Sequence, residues 1–285
     1  MSNTYGNIHD YAFGEHFEAF SILLNTFRSY NLHHFLIGAQ ARDVHFFQQG
    51  IKPLRGTRDI DFAVMVSSLA EYNELLNTLA HQGFKRVKDP YRIVWGKGET
   101  VIDILPFGQI EENYTVNFDE RNIELSVLGY REIQEETMTF SIEGPERLSV
   151  PVPPLHGLFI LKLLSWDNQK PDREKDLQDL YQILKNYWEF VEDEAYEKHT
   201  DLFGDDFDIP LAAARILGRH LKTTTQKSES LERRIVGILK EQSSSIENPG
   251  QLLQTFSREA NKSLAAIKTL LDKILLGMND KKPTN

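Results

Sequence analysis

The fold of this chain is decided by the stretch Thr57-Arg58-Asp59-Ile60-Asp61-Phe62-Ala63-Val64-Met65-Val66. From Asp59 to Val66 the residues first alternate and then become continuously apolar, which is typical of a central β-strand. Side chains two positions apart in a strand point to the same face, so Asp59 and Asp61 are expected side by side with Ile60 buried behind them. Two like charges at this spacing are costly without a cation. An Asp-x-Asp pair alone is also compatible with an edge strand or a turn.

A third carboxylate comes from another predicted strand, Thr100-Val101-Ile102-Asp103-Ile104-Leu105. An isolated aspartate within an apolar strand is expensive to bury, so Asp103 is expected to join the acidic pair. Three carboxylates make an all-oxygen site for Mg²⁺, with Mn²⁺ as an alternative. Such a site can hold two ions that align a hydroxyl with a triphosphate for in-line displacement of pyrophosphate. Asp59, Asp61 and Asp103 are therefore the predicted metal ligands and catalytic residues.

A second informative stretch lies just upstream, Phe35-Leu36-Ile37-Gly38-Ala39-Gln40-Ala41-Arg42-Asp43. The apolar run at 34–37 predicts a buried strand that ends at Gly38, and a helix is expected over 41–47. Glycine allows close backbone approach, and the N–H groups at a helix N-terminus attract anions. Gly38 and Ala39 are therefore predicted to contact nucleotide phosphates, although a plain strand–helix turn would give the same pattern.

Positive charge is concentrated in the first half of the chain. Between Arg42 and Lys97 there are nine Lys or Arg residues against six acids, whereas residues 189–208 contain nine acids and one lysine. An anionic substrate is therefore expected in the first half. Arg42 and Arg58 flank the acidic pair and are candidates for nucleotide binding. Arg42 is equally well explained by an ion pair with Asp43 or with a carboxylate of the sheet.

The composition excludes several classes of protein. A hydrophobic content of 40% and a charged content of 26% are ordinary for a soluble globular chain of 285 residues. The net charge of −10 argues against a general nucleic-acid coat protein, and the absence of cysteine excludes disulfides and thiolate chemistry. No membrane partner, signal peptide or ligand-spaced histidine cluster is predicted, so the expected location is cytoplasmic and no zinc site is expected.

The pattern of predicted elements changes near Val150-Pro151-Val152-Pro153-Pro154. Before it, helices are expected at 15–30 and 69–79, and strands at 34–37, 59–66, 84–87, 92–95, 100–105, 123–128 and 138–142, with a hairpin turn at Gly96-Lys97-Gly98. After it, helices are expected at 155–166, 173–190, 209–221, 228–241 and 252–276. The sequence therefore predicts an α+β domain over 1–150 and an α-helical domain over 151–285.

The first two stretches resemble motifs of a known superfamily. Gly38-Ala39 followed by Arg42-Asp43 is similar to the Gly-Gly-x-Val-Arg-Asp opening of tRNA-nucleotidyltransferase and poly(A)-polymerase head domains. Asp59-Ile60-Asp61-Phe62 is similar to the acidic pair that follows that opening. The resemblance implies a polymerase-β-like nucleotidyltransferase lobe with a mixed sheet, followed by a helical lobe. Ala39 departs from the usual second Gly or Ser and removes a possible hydroxyl contact.

Two motifs of the second half narrow the resemblance to one family. Leu161-Lys162-Leu163-Leu164-Ser165-Trp166 and Arg173-Glu174-Lys175-Asp176-Leu177-Gln178-Asp179-Leu180 are similar to the Lys-x-x-Ala and Arg-x-Lys-Asp-x-x-Asp-Leu motifs of the AbiEii/AbiGii toxin family. The resemblance implies that Lys162 contacts the nucleotide triphosphate, that Asp176 is needed for activity and that the helical domain completes the nucleotide site. Ser165 departs from the motif alanine. Asp179 shares a predicted helix face with Asp176, and a local structural role is favoured for it.

The predicted function is metal-dependent transfer of a nucleoside monophosphate from an NTP to a hydroxyl group. The family resemblance implies tRNA or another RNA end as acceptor, a role in toxicity or defence, and an antitoxin protein as partner. A protein side chain or a small molecule such as an aminoglycoside also remains open as acceptor. The alternative is a catalytically idle relative that serves as a binding or regulatory module of a toxin–antitoxin system.

Overall fold

The computed structural model describes residues 16–52, 59–96, 100–118, 122–142, 145–169 and 173–280. The chain divides between Pro154 and Leu155 into two compact units. Within the described residues, every strand belongs to the first unit and the second unit is helical. This confirms the predicted α+β class with helices at the C-terminal end. None of the described helices is long and apolar enough to cross a membrane.

The first unit contains four helices and nine strands within the described residues. Its helices are α1 (Phe17–Ser29), α2 (Gly38–Gln48), α3 (Leu69–His81) and α4 (Tyr130–Gln134). Its strands are β1 (His34–Ile37), β2 (Ile60–Val66), β3 (Lys85–Arg86), β4 (Arg92–Trp95), β5 (Thr100–Gly108), β6 (Thr115–Phe118), β7 (Ile123–Ser126), β8 (Met138–Ile142) and β9 (Leu148–Val152).

Five strands form the main sheet in the order β1-β2-β5-β4-β3. The central pair β2 and β5 is parallel, and the other neighbours are antiparallel. One face of β2 is completely buried through Ile60, Phe62 and Val64. The rings of Phe20 and Phe27 in α1 each lie 5.3 Å from the ring of Phe62. The hydrophobic core of the unit therefore includes this face, whereas Asp61 projects from the opposite face and is partly exposed.

Two antiparallel ribbons complete the first unit, β6 with β7 and β8 with β9. The sequence did not predict β6, β9 or α4. β9 was hidden because its prolines suggested a domain boundary, yet Pro151 lies in the strand opposite Thr139. Proline cannot donate to a ladder and is tolerated at strand edges. The predicted strand at 84–87 is reduced to two exposed residues, and the predicted turn residues Lys97 and Gly98 lie outside the described part of the chain.

The second unit contains six α-helices and one 3₁₀ turn at Thr200–Leu202 within the described residues. The helices are α5 (Leu155–Asn168), α6 (Glu174–Lys198), α7 (Ile209–Thr225), α8 (Glu229–Gln242), α9 (Gln251–Ala260) and α10 (Leu264–Asn279). The single helix predicted over 252–276 is wrong. The chain breaks because Asn261 adopts a left-handed conformation with φ +51° and Ser263 then caps α10 by accepting a hydrogen bond from the Ala266 amide.

Two glycines allow the backbones of α7 and α10 to touch. A Cβ atom placed on Gly218 would lie 2.9 Å from the carbonyl carbon of Ile274 and 3.0 Å from Cα of Gly277. A Cβ atom on Gly277 would lie 2.9 Å from the carbonyl carbon of Arg215. In each case the clash is with backbone, which cannot rotate away as a side chain can. The close approach of α7 and α10 therefore requires glycine at both positions.

We expect Gly218→Ala and Gly277→Ala each to destabilise the chain by about 3 kcal/mol, because the added methyl group forces the two backbones apart. In an unobstructed helix the same substitution stabilises by roughly 0.5–1 kcal/mol. Gly237→Ala in α8 is the matched control, since a Cβ atom there meets nothing within 4 Å. Urea unfolding of the three variants provides the measurement. Equal effects at Gly218 and Gly237 would contradict the tight helix crossing.

Candidate active site

The register of the parallel pair β2–β5 brings two of the predicted carboxylates together. Asp61 is the direct partner of Asp103 across this pair. In-register residues of neighbouring strands lie about 4.8 Å apart and project to the same face of the sheet. Asp61 and Asp103 are both half-exposed, whereas Ile60 and Ile102 are buried on the opposite face. The two aspartates thus share the open face of the central strands.

Asp59 lies immediately before β2 and is exposed. It is separated from Asp61 by one buried residue, which fits the predicted alternation. The structure therefore places Asp59 beside the end of β2 at which Asp61 and Asp103 are paired. All three groups offer oxygen atoms only, and this donor set suits Mg²⁺.

Gly38 adjoins the same carboxylates. Ile37, the last residue of β1, is the antiparallel partner of Asp61, and α2 begins at the next residue. Gly38 has φ +74°, and a Cβ atom on it would lie 3.0 Å from Cγ of Asp61 and closer still to Oδ2. Because this left-handed glycine turns the chain directly into α2, the helix begins three residues earlier than the sequence predicted. The N-terminus of α2 therefore lies next to the carboxylate of Asp61, with Ala39 in its first turn.

Arg92 is a partner of Asp103 that sequence reasoning missed. Arg92 lies opposite Asp103 in the antiparallel pair β4–β5. Its Nε donates to Oδ1 at 2.7 Å and its Nη2 donates to Oδ2 at 2.8 Å, which is a two-pronged pair. The hydrogen bonds with Asp103 raise the pKa of Arg92 above its ordinary value. The only sign of this pair in the sequence was an arginine at the start of a predicted strand. Which residue it faces depends on the register between β4 and β5.

Of the two arginines predicted as candidates for nucleotide binding, the structure describes only one. Arg42 is buried in α2, and its Nε donates to Oδ1 of Asp43 at 2.8 Å. This is one of the two ion pairs that the sequence left open for Arg42. Arg58 lies outside the described residues. Gln40, also in α2 and not predicted, is fully buried, and neither atom of its amide has a hydrogen-bond partner in the described structure.

Lys162 forms a buried ion triad in the second unit. Its ammonium group donates to Oδ2 of Asp179 at 2.6 Å and to Oδ1 of Asp176 at 3.4 Å. All three residues are at least nine-tenths buried. The tighter partner is Asp179, for which the sequence favoured only a local role. Two carboxylates and one ammonium leave an excess negative charge, and the structure provides Arg173 at 3.7 Å from Oδ2 of Asp176.

Oδ2 of Asp176 has no hydrogen-bond partner among the described residues, although it is buried. Buried polar atoms normally have one, so this oxygen is available to a ligand or to a positioned water. Lys162 uses two of its three ammonium hydrogens on Asp176 and Asp179. Oδ2 of Asp176 can therefore accept one further hydrogen bond, and the ammonium group of Lys162 can donate one, without loss of the ion pairs inside the triad.

Within the first unit, the structure brings together Gly38, Asp59, Asp61 and Asp103. Within the second unit, it brings together Lys162, Asp176 and Asp179. A glycine turn beside paired strand carboxylates is the arrangement that the sequence predicted for a nucleotidyltransferase. The comparisons with known proteins agree with this class.

The chain belongs to the family described as "Nucleotidyl transferase AbiEii toxin, Type IV TA system", whose model matches residues 51–246. This match covers more than half of the chain and includes the acidic strands and the Lys162 triad. Gly38 precedes it. The protein is therefore a nucleotidyltransferase of the AbiEii family, as the motifs implied. No curated protein matches the chain.

Solved structures similar to this chain are also nucleotidyltransferases or related synthases. The lincosamide antibiotic adenylyltransferase LnuA, solved with lincomycin bound, is 16% identical, with a TM-score of 0.35, over 58% of this chain and 95% of its own. An antigenic nucleotidyltransferase-like protein from Paracoccidioides brasiliensis is 16% identical, with a TM-score of 0.38, over 59% and 74%. The CdnE cyclic dinucleotide synthase from Elizabethkingia meningoseptica is 11% identical, with a TM-score of 0.27, over 92% of each chain.

We expect Gly38→Ala to lower nucleotidyl transfer by about 100-fold, because its methyl group displaces the carboxylate of Asp61 and misplacement of about 1 Å has this effect on a reacting centre. Gly50→Ala is the matched control. Gly50 also has a positive φ, of +68°, but a Cβ atom there meets nothing within 4 Å. Both variants lose about 1 kcal/mol of stability through backbone strain. Activity and thermal unfolding are measured in parallel, and an equal activity loss in both variants would contradict the assignment.

We expect Lys162→Met to destabilise the chain by about 3–5 kcal/mol, because two buried carboxylates lose their shared cation. Lys268→Met is the control. Lys268 donates to Asp272 at 2.8 Å, but this pair lies in α10 and is open to solvent. Its loss is expected to cost less than about 1 kcal/mol. Denaturant unfolding distinguishes the two, and a stable Lys162→Met variant would show that the triad is not a buried charge cluster.

Proposed function

We propose that this protein transfers a nucleoside monophosphate from an NTP to a hydroxyl acceptor in an Mg²⁺-dependent reaction. The observation that carries this proposal is the pairing of Asp61 with Asp103 across β2 and β5, next to the glycine turn at Gly38. Divalent ions would neutralise the triphosphate and lower the pKa of the acceptor hydroxyl. Mn²⁺ is an alternative ion with the same preference for oxygen.

The carboxylates have separate roles in this proposal. Asp59 and Asp61 hold the divalent ions, since they lie at the exposed end of β2. Asp103 helps to activate the acceptor hydroxyl. Arg92 holds both oxygens of Asp103 and so fixes the direction of that carboxylate. A carboxylate that is already held in one direction loses little conformational freedom when the substrate binds. This preorganisation favours the transfer reaction.

The nucleotide is held through its phosphates. The N–H groups in the first turn of α2, at Gly38 and Ala39, provide donors and the positive end of a helix dipole. Lys162 of the second unit is also required for transfer in this proposal, and its two aspartates hold its ammonium group in place. Asp176 is required for activity in this proposal through Oδ2, which has no hydrogen bond among the described residues. Arg42 and Arg58 are secondary candidates, because Arg42 is already paired with Asp43.

The proposed acceptor is the end of tRNA or of another RNA, and the proposed biological setting is a cytoplasmic toxin–antitoxin system with an antitoxin protein as partner. The description of the family as a type IV toxin–antitoxin component supports this setting. A protein side chain or a small molecule is the second class of acceptor. Similarity to an adenylyltransferase of antibiotics keeps that class in the test panel.

A catalytically idle binding module is the competing proposal. It predicts that NTPs bind without transfer. The paired carboxylates argue against it, because a binding module has no need of three acids at one end of β2. Their mutual repulsion is a cost that a bound divalent cation would offset.

We expect the purified chain with Mg²⁺ and α-labelled NTPs to label total tRNA or another acceptor, and Asp59→Asn and Asp61→Asn each to lower labelling by about 1000-fold or more. This corresponds to the loss of about 4 kcal/mol of metal-assisted stabilisation. Asp272→Asn, which removes an exposed aspartate of α10, is the control and should keep full activity. The readout is label transferred per minute across four NTPs.

Each result has a definite meaning. Transfer that persists in Asp59→Asn and Asp61→Asn would overturn the assignment of the acidic residues. Binding of NTPs without transfer to RNA, protein or small-molecule acceptors would establish the idle module. Transfer to a small molecule in place of RNA would keep the chemistry and correct the acceptor.

A further inference from the structure

A second cluster of metal-ligating side chains lies in the helical unit. Glu194 lies in the last turns of α6, His199 directly follows that helix, and His220 lies in α7. Their ligand atoms all lie within 4.8 Å of one another. The sequence gave no reason to expect this cluster, because the two histidines are far apart along the chain. It contains none of the residues assigned to nucleotidyl transfer.

The spacing of the cluster fits a shared ion better than direct hydrogen bonds. Nε2 of His220 is 3.4 Å from Oε2 of Glu194, and Nε2 of His199 is 3.9 Å from Oε1. Good N–H···O hydrogen bonds span about 2.7–3.2 Å. Two ligands held about 2.1 Å from one tetrahedral ion lie roughly 3.4 Å apart. The Glu194–His220 spacing already has this value, and because all the ligand atoms lie within 4.8 Å of one another, His199 needs to move inward by at most about 1.4 Å.

His199 provides an independent sign of a missing ligand. The residue is 7% exposed, and its Nε2 atom is buried without a hydrogen-bond partner in the described structure. Buried polar atoms normally have a hydrogen-bond partner, and this nitrogen has none among the described residues.

Glu194 and His220 are also prepared as ligands. Glu194 offers a carboxylate oxygen 3.4 Å from Nε2 of His220. Nδ1 of His220 lies 2.7 Å from the hydroxyl oxygen of Tyr187. When Nδ1 donates its hydrogen to that oxygen, Nε2 keeps its lone pair and faces Glu194. Such outer hydrogen bonds commonly orient metal-binding histidines.

His199 needs a change of tautomer. Nη1 of Arg219 donates to its Nδ1 at 2.8 Å, so the metal-free ring carries its hydrogen on Nε2. Ligation moves that hydrogen to Nδ1, with no net gain or loss of a proton. Nη1 of Arg219 must then move away from Nδ1, because two donors cannot face each other, while Nε of Arg219 can keep its bond to Asp280. Glu194 supplies the negative charge at the cluster, because Asp201 and Asp280 are paired with Arg219.

We propose that Glu194, His199 and His220 bind one Zn²⁺ ion or a similar borderline divalent cation. Two imidazole nitrogens and one carboxylate oxygen are the donor set that favours Zn²⁺ over Mg²⁺, which prefers oxygen alone. Water fills the remaining position. The ion links the end of α6 to α7.

The test uses the full chain after its metal has been removed with a chelator. The chain is then titrated calorimetrically with Zn²⁺. Mg²⁺ is present in excess so that it fills the proposed carboxylate site of the first unit. We expect one equivalent to bind. Glu194→Gln and His220→Gln should each weaken binding by at least about tenfold, because each removes a direct ligand. His156→Gln is the matched control. Its ring lies 5.4 Å from that of His220, but it is outside the cluster.

Co²⁺ provides a second readout on the unmodified chain. A four-coordinate site with imidazole ligands gives an intense visible absorption band, whereas octahedral oxygen sites give a weak one. The proposal is overturned if the wild-type chain shows neither Zn²⁺ binding in excess Mg²⁺ nor the intense Co²⁺ band. It is also overturned if Glu194→Gln binds Zn²⁺ as tightly as the wild type, or if His156→Gln weakens binding to the same extent. Circular dichroism verifies that each variant is folded.

Discussion

The first unit depends on one electrostatic constraint, which is that two aspartates lie side by side on neighbouring parallel strands. Asp61 and Asp103 are direct partners of the β2–β5 pair, and their repulsion must be compensated. Arg92 compensates Asp103 from the next strand. Gly38 allows the N-terminus of α2 to approach Asp61, where no side chain would fit. The aromatic core on the buried face keeps the register, since a slip by one residue would bury the aspartates.

The second unit has the inverse arrangement, in which a cation is enclosed by acids. Lys162 lies between Asp176 and Asp179, and the fold keeps all three away from water. Such clusters rarely increase stability compared with apolar packing. A role in chemistry or binding would explain why this chain has such a cluster. The same logic applies to the Glu194–His199–His220 cluster, where a buried nitrogen is left without a partner.

Local patterns predicted the elements better than the contacts between them. Alternation in β2 and helical spacing in α3 depend on neighbours in the chain, so both were predicted correctly. The pairing of Arg92 with Asp103 depends on the register of two strands, which no local pattern contains. The break at Asn261 was missed because a single left-handed residue leaves the apolar period almost intact. The motif at Lys162 was recognised, but its tighter bond to Asp179 depends on packing.

The close crossing of α7 and α10 also affects how the helical unit can move. Gly218 lies two residues before His220, and its backbone rests directly on α10. At this crossing no side chain separates the two backbones, so sliding of one helix along the other is restricted there. His220 therefore lies close to a tightly packed point of the unit, and movement that gathers ligands around an ion is expected at Glu194 and His199, at the end of α6.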